Sequence, residues 1–325
     1  MSAGPDSAPR PDGRPAAGSV RRPARWVSWV IGVALLVLAG WAIGRAGVPP
    51  ASLIERALAS GWQRPAALLA LVAVTPVFTS AIFWVLTRRY GKVGFGENTA
   101  LITSAWLLNF APMSPGLIGR LAYLKRVHGV AIGHSARAVI WANLLSVVAG
   151  AVTLLTLGAA ALFWRGDDPR LAALVAAPIV MVGVFAWYAH KARPKPDPEV
   201  WRVVAALAIR LAEVHLWAAR YAVVFAMLGQ PLAWGGALAV ASISTLASLF
   251  PLAPNGLGVR EWAVGLVAPL LPASIAYSAG LTTASGLSAD MVHRAAEVVV
   301  AVPLGLVATA WVWARLARAK QGEIA

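Results

Sequence analysis

Along this chain apolar residues come in long unbroken runs separated by short polar stretches, not in the alternation that builds half-buried strands. Runs at Trp26–Gly44, Pro65–Leu86, Ser135–Trp164, Leu171–Ala189, Val203–Leu228 and His293–Trp313 each approach or exceed the ~20 residues a helix needs to cross hydrocarbon. Residues 48–62 differ: Pro49-Pro50 precedes a short pattern that sets Leu53, Ile54 and Leu58 on one side, as expected of an interfacial helix.

Two further regions hold apolar runs that are too short to cross. Asn98–Phe110 stops at Pro112, and Gly116–Val127 runs away from that turn. Trp234–Phe250 stops at Pro251 and Pro254, and Gly256–Leu271 follows. Ala273–Ser288 is another short segment. The two turns have nearly one form: Pro112-Met-Ser-Pro-Gly-Leu-Ile-Gly-Arg120 and Pro251-Leu-Ala-Pro-Asn-Gly-Leu-Gly-Val-Arg-Glu261 both contain Gly-Leu-x-x-Arg after proline. An undersized apolar helix broken by a Pro/Gly turn reads as a re-entrant element, which is tolerated at membrane depth only when buried in protein or lining water.

Composition removes the soluble alternatives. Of 325 residues 59% are hydrophobic and 13% charged, against roughly 25% charged in a soluble domain; mean hydropathy is +0.70. There is no cysteine, hence no disulfide, thiol nucleophile or thiolate metal site. The five histidines form no metal-binding spacing and no G-x-x-x-x-G-K-[ST] phosphate loop occurs. Neither cofactor nor metal is expected, nor any coupling to ATP.

The net charge of +15 sits mostly in short loops between apolar runs, which points to membrane topology and anionic headgroups, not to nucleic acid. Residues 1–25, with Arg10, Arg14, Arg21, Arg22 and Arg25, read as a disordered cytoplasmic tail, and Trp26–Gly44 as an uncleaved signal anchor. Dense Lys/Arg at 88–92, 120–126, 190–202 and 315–320 contrasts with nearly neutral 165–170, 229–233 and 271–274. That asymmetry sets both termini in the cytoplasm, with Arg45, Arg56 and Arg64 as exceptions. Pro65–Leu86 then runs inward and Val203–Leu228 outward, so the re-entrant unit after each enters from the opposite leaflet, as in an inverted-topology repeat. Nine of the fifteen tryptophans, among them Trp41, Trp62, Trp84 and Trp313, fall near span ends as interfacial anchors.

Ionisable residues inside the membrane cost ~2.5–3.5 kcal/mol each on insertion scales, so they are the informative ones. Arg120 and Arg260 each lie four residues after a turn glycine, Gly116 or Gly256, in the first turns of a short helix. Free N–H groups there favour anions, and a guanidinium adds a planar fork matched to phosphate. Asn255 and Glu261 flank the second site; Glu261 is expected to pair with Arg137 or Arg220 on another helix. Arg210, Glu213, Trp217 and Arg220 share one face of the fifth span, with Arg210–Glu213 a local pair and His215 off that face. Asp290, Arg294 and Glu297 share a face at the start of the last span, with His293 four residues before Glu297; Glu297 is read as a counter-charge for Arg294 or Arg260, or as a proton carrier.

These signatures resemble the lysylphosphatidylglycerol synthase/flippase transmembrane family. Pro112-x-x-Pro-Gly-Leu-x-Gly-Arg120 with Leu124-Lys-Arg resembles its first signature, Pro254-Asn-Gly-Leu-Gly-Val-Arg-Glu261 is the more specific match, and His293-Arg-Ala-Ala-Glu297 followed by Pro303-Leu-Gly305 resembles its closing region. The first copy departs from the looser Gly-rich turn at Ser114-Pro115 and Ile118. The likeness covers roughly residues 26–316 and implies an integral membrane lipid translocase. In the family's bifunctional members a separate soluble domain makes the lipid; with only a handful of residues after Arg318, no enzymatic activity is expected.

The sequence thus predicts an all-α, polytopic membrane protein with inverted repeats and re-entrant broken helices. It divides into a tail over 1–25, a transmembrane domain over 26–316 and a short cytoplasmic tail over 317–325. Arg120 and Arg260 hold a headgroup phosphate, with Glu213, Glu261 and Glu297 balancing them. Membrane lipids are the expected partners, with lipid-biosynthesis enzymes as candidates and the oligomeric state left open. A cell inner membrane location follows. A secondary transporter of a small solute or ion is the alternative, followed by an intramembrane enzyme and a scaffold.

Overall fold

The computed structural model describes residues 26–47, 49–111, 115–163, 198–250, 256–272 and 280–321. The expected tail over 1–25, the 165–170 turn, the Leu171–Ala189 span, most of the 190–199 loop, Pro112, Pro251, Pro254 and Asn255 lie outside them. Every regular element among the described residues is helical.

The helices are α1 (Trp26–Arg45), α2 (Pro50–Ala59), α3 (Gln63–Thr87), α4 (Phe95–Leu108), α5 (Pro115–His128), α6 (Ile132–Phe163), α7 (Pro198–Met227), α8 (Trp234–Ser248), α9 (Val259–Val267) and α10 (Thr283–Lys320), with a 3-10 turn at Ala268–Leu270. Three of them, within Gln63–Thr87, Ile132–Ala161 and Thr283–Ala319, are long and apolar enough to cross a membrane. The 30-residue α7 is equally long but carries charge along one face. The short runs fold as expected: α4 and α5 have 14 residues each, α8 has 15 and α9 has 9. At 1.5 Å per residue none reaches the ~30 Å of hydrocarbon.

Two boundaries differ from the sequence reading. The segments expected at Ala273–Ser288 and His293–Trp313 are joined, over their described parts, in the 38-residue α10. Its start is fixed by a capping box in which Thr282 and Ser285 satisfy each other's backbone N–H groups. Nothing then interrupts the ladder before Pro303, so the Asp290–Glu297 cluster lies inside the helix, not at its entrance. Helix α7 begins at Pro198, inside the stretch read as a loop, because proline is accommodated in a first turn. On α2, Leu53 is buried while Ile54 and Leu58 face outward, so the expected apolar side is split.

The packing reverses the polarity of a soluble protein. Leu155 on α6 and Val307 on α10 are 74% and 71% exposed, while Arg220, Arg260, Glu261 and Asp290 are at most 1% exposed. An apolar exterior around a charged interior is what a hydrocarbon solvent selects. The core gathers around α3, α6, α7 and α8, with α3 lying along α7. Helix α10 packs against both α4 and α9, and small residues allow the approach. A Cβ on Gly305 would lie 2.4 Å from Leu107 of α4, and one on Gly286 would lie 2.7 Å from the Val264 carbonyl of α9.

Candidate functional site: a buried arginine cavity

The two glycine turns set the backbones that carry Arg120 and Arg260. A Cβ on Gly116 would sit 2.2 Å from the Ala105 carbonyl, so only glycine lets α5 fold back against α4. Gly256 and Gly258 have φ of +67° and +78°, in the left-handed region where glycine is favoured, and a Cβ on Gly256 would meet Ser248 Cα at 2.8 Å. Each turn thereby brings the helix after it close to the helix before it.

Both arginines reach one cavity of about 300 Å³ in the middle of the bundle. Helices α3 to α10 all contribute to its wall. The charged lining is Arg120, Arg210, Glu213, Arg260 and Glu297; Thr79, Asn109, Asn143 and Ser146 add polar groups, and Phe83, Trp106 and Trp217 add aromatic faces. Of the expected site residues, Arg220, Glu261 and Arg294 stand one layer behind this wall, and Gly116 and Gly256 shape the turns.

Arg260 is fully engaged. Its Nε donates to Asp290 Oδ2 at 2.9 Å and its Nη1 to Glu297 Oε2 at 2.9 Å, and its Nη2 lies 3.2 Å from His293 Nδ1. All three partners project from α10, where spacings of three and four residues share a face. Glu297 also accepts from Arg220 Nη2 at 2.8 Å, and Arg220 Nη1 donates to Thr75 Oγ1 at 3.1 Å. The Tyr221 hydroxyl bridges the Asp290 carboxylate and Ser244 Oγ, the latter at 2.6 Å. The Tyr221 ring stacks on His293 with centroids 4.6 Å apart. Trp217 lies under Arg220 at 4.6 Å and Arg260 at 5.7 Å.

Glu261 pairs with Arg294, whose Nε donates to Glu261 Oε1 at 3.0 Å, and not with Arg137 or Arg220. Arg220 is taken by Glu297, Arg137 is exposed, and α9 packs directly on α10. Arg210 and Glu213 form the expected local pair, and Glu213 also accepts from Thr79 Oγ1 at 2.7 Å. His215 packs against the Trp234 ring, off the charged face as expected.

Arg120 is the exception. It is 4% exposed, its Nε has no hydrogen-bond partner, and no carboxylate contacts it among the described residues. Its one strong neighbour is the Phe83 ring, 3.7 Å from the guanidinium carbon to the centroid. A cation so placed has its charge directed into the cavity without an internal counter-ion, an arrangement that is costly unless an anion completes it.

Several contributors escape a sequence reading. Tyr221, Thr75, Thr79 and Phe83 look like ordinary members of apolar runs; only the i, i+4 register of Tyr221 with Trp217 hints at the charged face. At the end of the bundle, Glu97 accepts from the Tyr123 hydroxyl at 2.5 Å and lies 3.0 Å from His128 Nε2, fastening α4 to α5. Its signal was a lone acidic residue opening a short apolar helix. Comparison of the chain with protein-family models, with curated proteins and with solved structures returned no match.

Proposed function

We propose that this chain is a polytopic membrane protein that moves an amphipathic lipid between leaflets, its phosphate-bearing headgroup passing through the arginine cavity while the tails stay in hydrocarbon. In this reading α4–α5 and α8–α9 are re-entrant units of an inverted repeat, as in the lysylphosphatidylglycerol synthase/flippase family that the sequence resembles. Both termini lie in the cytoplasm. Because the wall is built from polar and aromatic groups inside an apolar shell, it can shield a headgroup that hydrocarbon would reject.

The observation that carries this reading is the buried, uncompensated guanidinium of Arg120 at a cavity of headgroup size. A phosphate oxygen there accepts charge-assisted hydrogen bonds from donors that nothing else uses. Arg260 forms the opposite wall, already neutralised, so its role is to hold the site open and polar.

The test is translocation of headgroup-labelled phospholipid in proteoliposomes, read by reduction of the outer-leaflet label. Arg120→Gln is expected to bring the rate down to that of protein-free vesicles while the protein elutes and melts as the parent does; a rate equal to the parent's rejects the assignment. The second reading is transport of a small anionic solute. What favours it is the cavity volume of about 300 Å³, which suits a headgroup-sized anion without acyl chains. Solute uptake into the same vesicles, with no lipid movement, decides for it.

A further inference from the structure

The charge and hydrogen-bonding inventory of the cavity narrows the occupant further, given the lipid-translocating reading above. The cavity and the layer behind it contain Arg120, Arg210, Arg220, Arg260 and Arg294 against Glu213, Glu261, Asp290 and Glu297. His293 is neutral, because its Nδ1 faces the Arg260 Nη2 donor at 3.2 Å and must act as acceptor. Among the described residues five guanidiniums face four carboxylates, so one positive charge remains, and Arg120 is the guanidinium that holds it.

The uncharged lining is equally selective. Ser146, Thr245 and Ser248 each donate their proton to a backbone carbonyl one turn back, at 2.8 to 2.9 Å, so their oxygens face a ligand as acceptors. Asn109 Oδ1 is buried and unpartnered. Hydroxyl groups on a ligand match these acceptors. For an ammonium group the lining carboxylates are already engaged: Glu213 and Glu297 are each held by arginine, and the Phe83 and Trp217 faces already meet guanidiniums, which leaves Trp106 as the aromatic face of the described lining without one.

We infer that the cavity takes a singly charged phosphodiester whose other headgroup substituent is a hydroxylated, amine-free moiety, a polyol or sugar. One negative charge neutralises the site. A zwitterionic headgroup is neutral overall and leaves that positive charge in place, and a phosphomonoester brings a second negative charge that nothing balances. Removing a buried counter-charge mismatch at this depth is worth enough to select by at least about tenfold.

The test compares four labelled lipids in proteoliposomes otherwise of one composition: phosphatidylglycerol, phosphatidylethanolamine, phosphatidylcholine and phosphatidic acid. Binding of each to the detergent-solubilised protein is read in parallel by native mass spectrometry. Phosphatidylglycerol is expected to move and bind at least about tenfold better than the other three, with both effects lost in Arg120→Gln. Equal or better handling of phosphatidylethanolamine, phosphatidylcholine or phosphatidic acid overturns the inference and leaves translocation standing. Selective binding of phosphatidylglycerol without movement supports the inference and rejects the transport reading. Uptake of water-soluble glycerophosphoglycerol without lipid movement keeps the headgroup class and rejects the lipid. If nothing binds and nothing moves, both fall.

Discussion

Arg120 and Arg260 start from nearly one sequence, Gly-Leu-x-x-Arg after a proline turn, and end in opposite circumstances. Arg260 faces α10, which supplies Asp290, His293 and Glu297 within eight residues. Arg120 faces α3, which supplies the ring of Phe83. The motif therefore fixes where a guanidinium stands, and the helix opposite decides whether its charge is used up inside the protein or left for a ligand. Symmetry of sequence became asymmetry of chemistry. The more conspicuous second motif forms structure, while the less regular first one carries the open valence.

The largest expected effect comes from making the second environment resemble the first. Glu297→Ala leaves Arg220 and Arg260 short of an acceptor in a dry interior, and is expected to lower stability by about 3–5 kcal/mol, read by thermal unfolding in detergent. Arg260→Ala belongs to the same class, so it disrupts folding and not transport alone. A variant that melts like the parent would show that the network is better hydrated than its burial implies. Next are the turns. Gly116→Ala drives a methyl into the Ala105 carbonyl, and Gly256→Ala adds a side chain at φ +67°; each is expected to cost about 1–3 kcal/mol by the same melting assay. If only one of them does, the two turns are not equivalent supports.

The converse exchange gives Arg120 an acceptor. Phe83→Glu is expected to slow lipid translocation at least about tenfold, while stability stays within about 1 kcal/mol of the parent, because a paired buried charge replaces an unpaired one. Undiminished translocation would mean that the freedom of Arg120 is not what the site uses. The smallest effect is at the rim. Glu97→Gln weakens the contact with His128 and is expected to cost about 0.5–1 kcal/mol, with little change in translocation.

The order of helices, and the shortness of α4, α5, α8 and α9, were legible because run length and proline position report directly on how far a helix can extend. The residues of the charged cluster were legible too, since helical spacing places Asp290, Arg294 and Glu297 together whatever they face. Partner choice was not. Glu261 had several arginines within plausible reach, and only the seating of α9 on α10 selects Arg294. The freedom of Arg120 was hidden for the same reason: a missing counter-ion is a property of what stands opposite, which local spacing does not encode. The continuity of α10 was masked by the charges at 290–297, which look like a span boundary until their partners are seen to be internal.

Helix α10 touches the first short unit through Gly305 and the second through Gly286, at contacts too close for any added atom. One continuous helix thus fastens both short pairs, and a bulkier residue at Gly286 or Gly305 would have to part α10 from α9 or from α4.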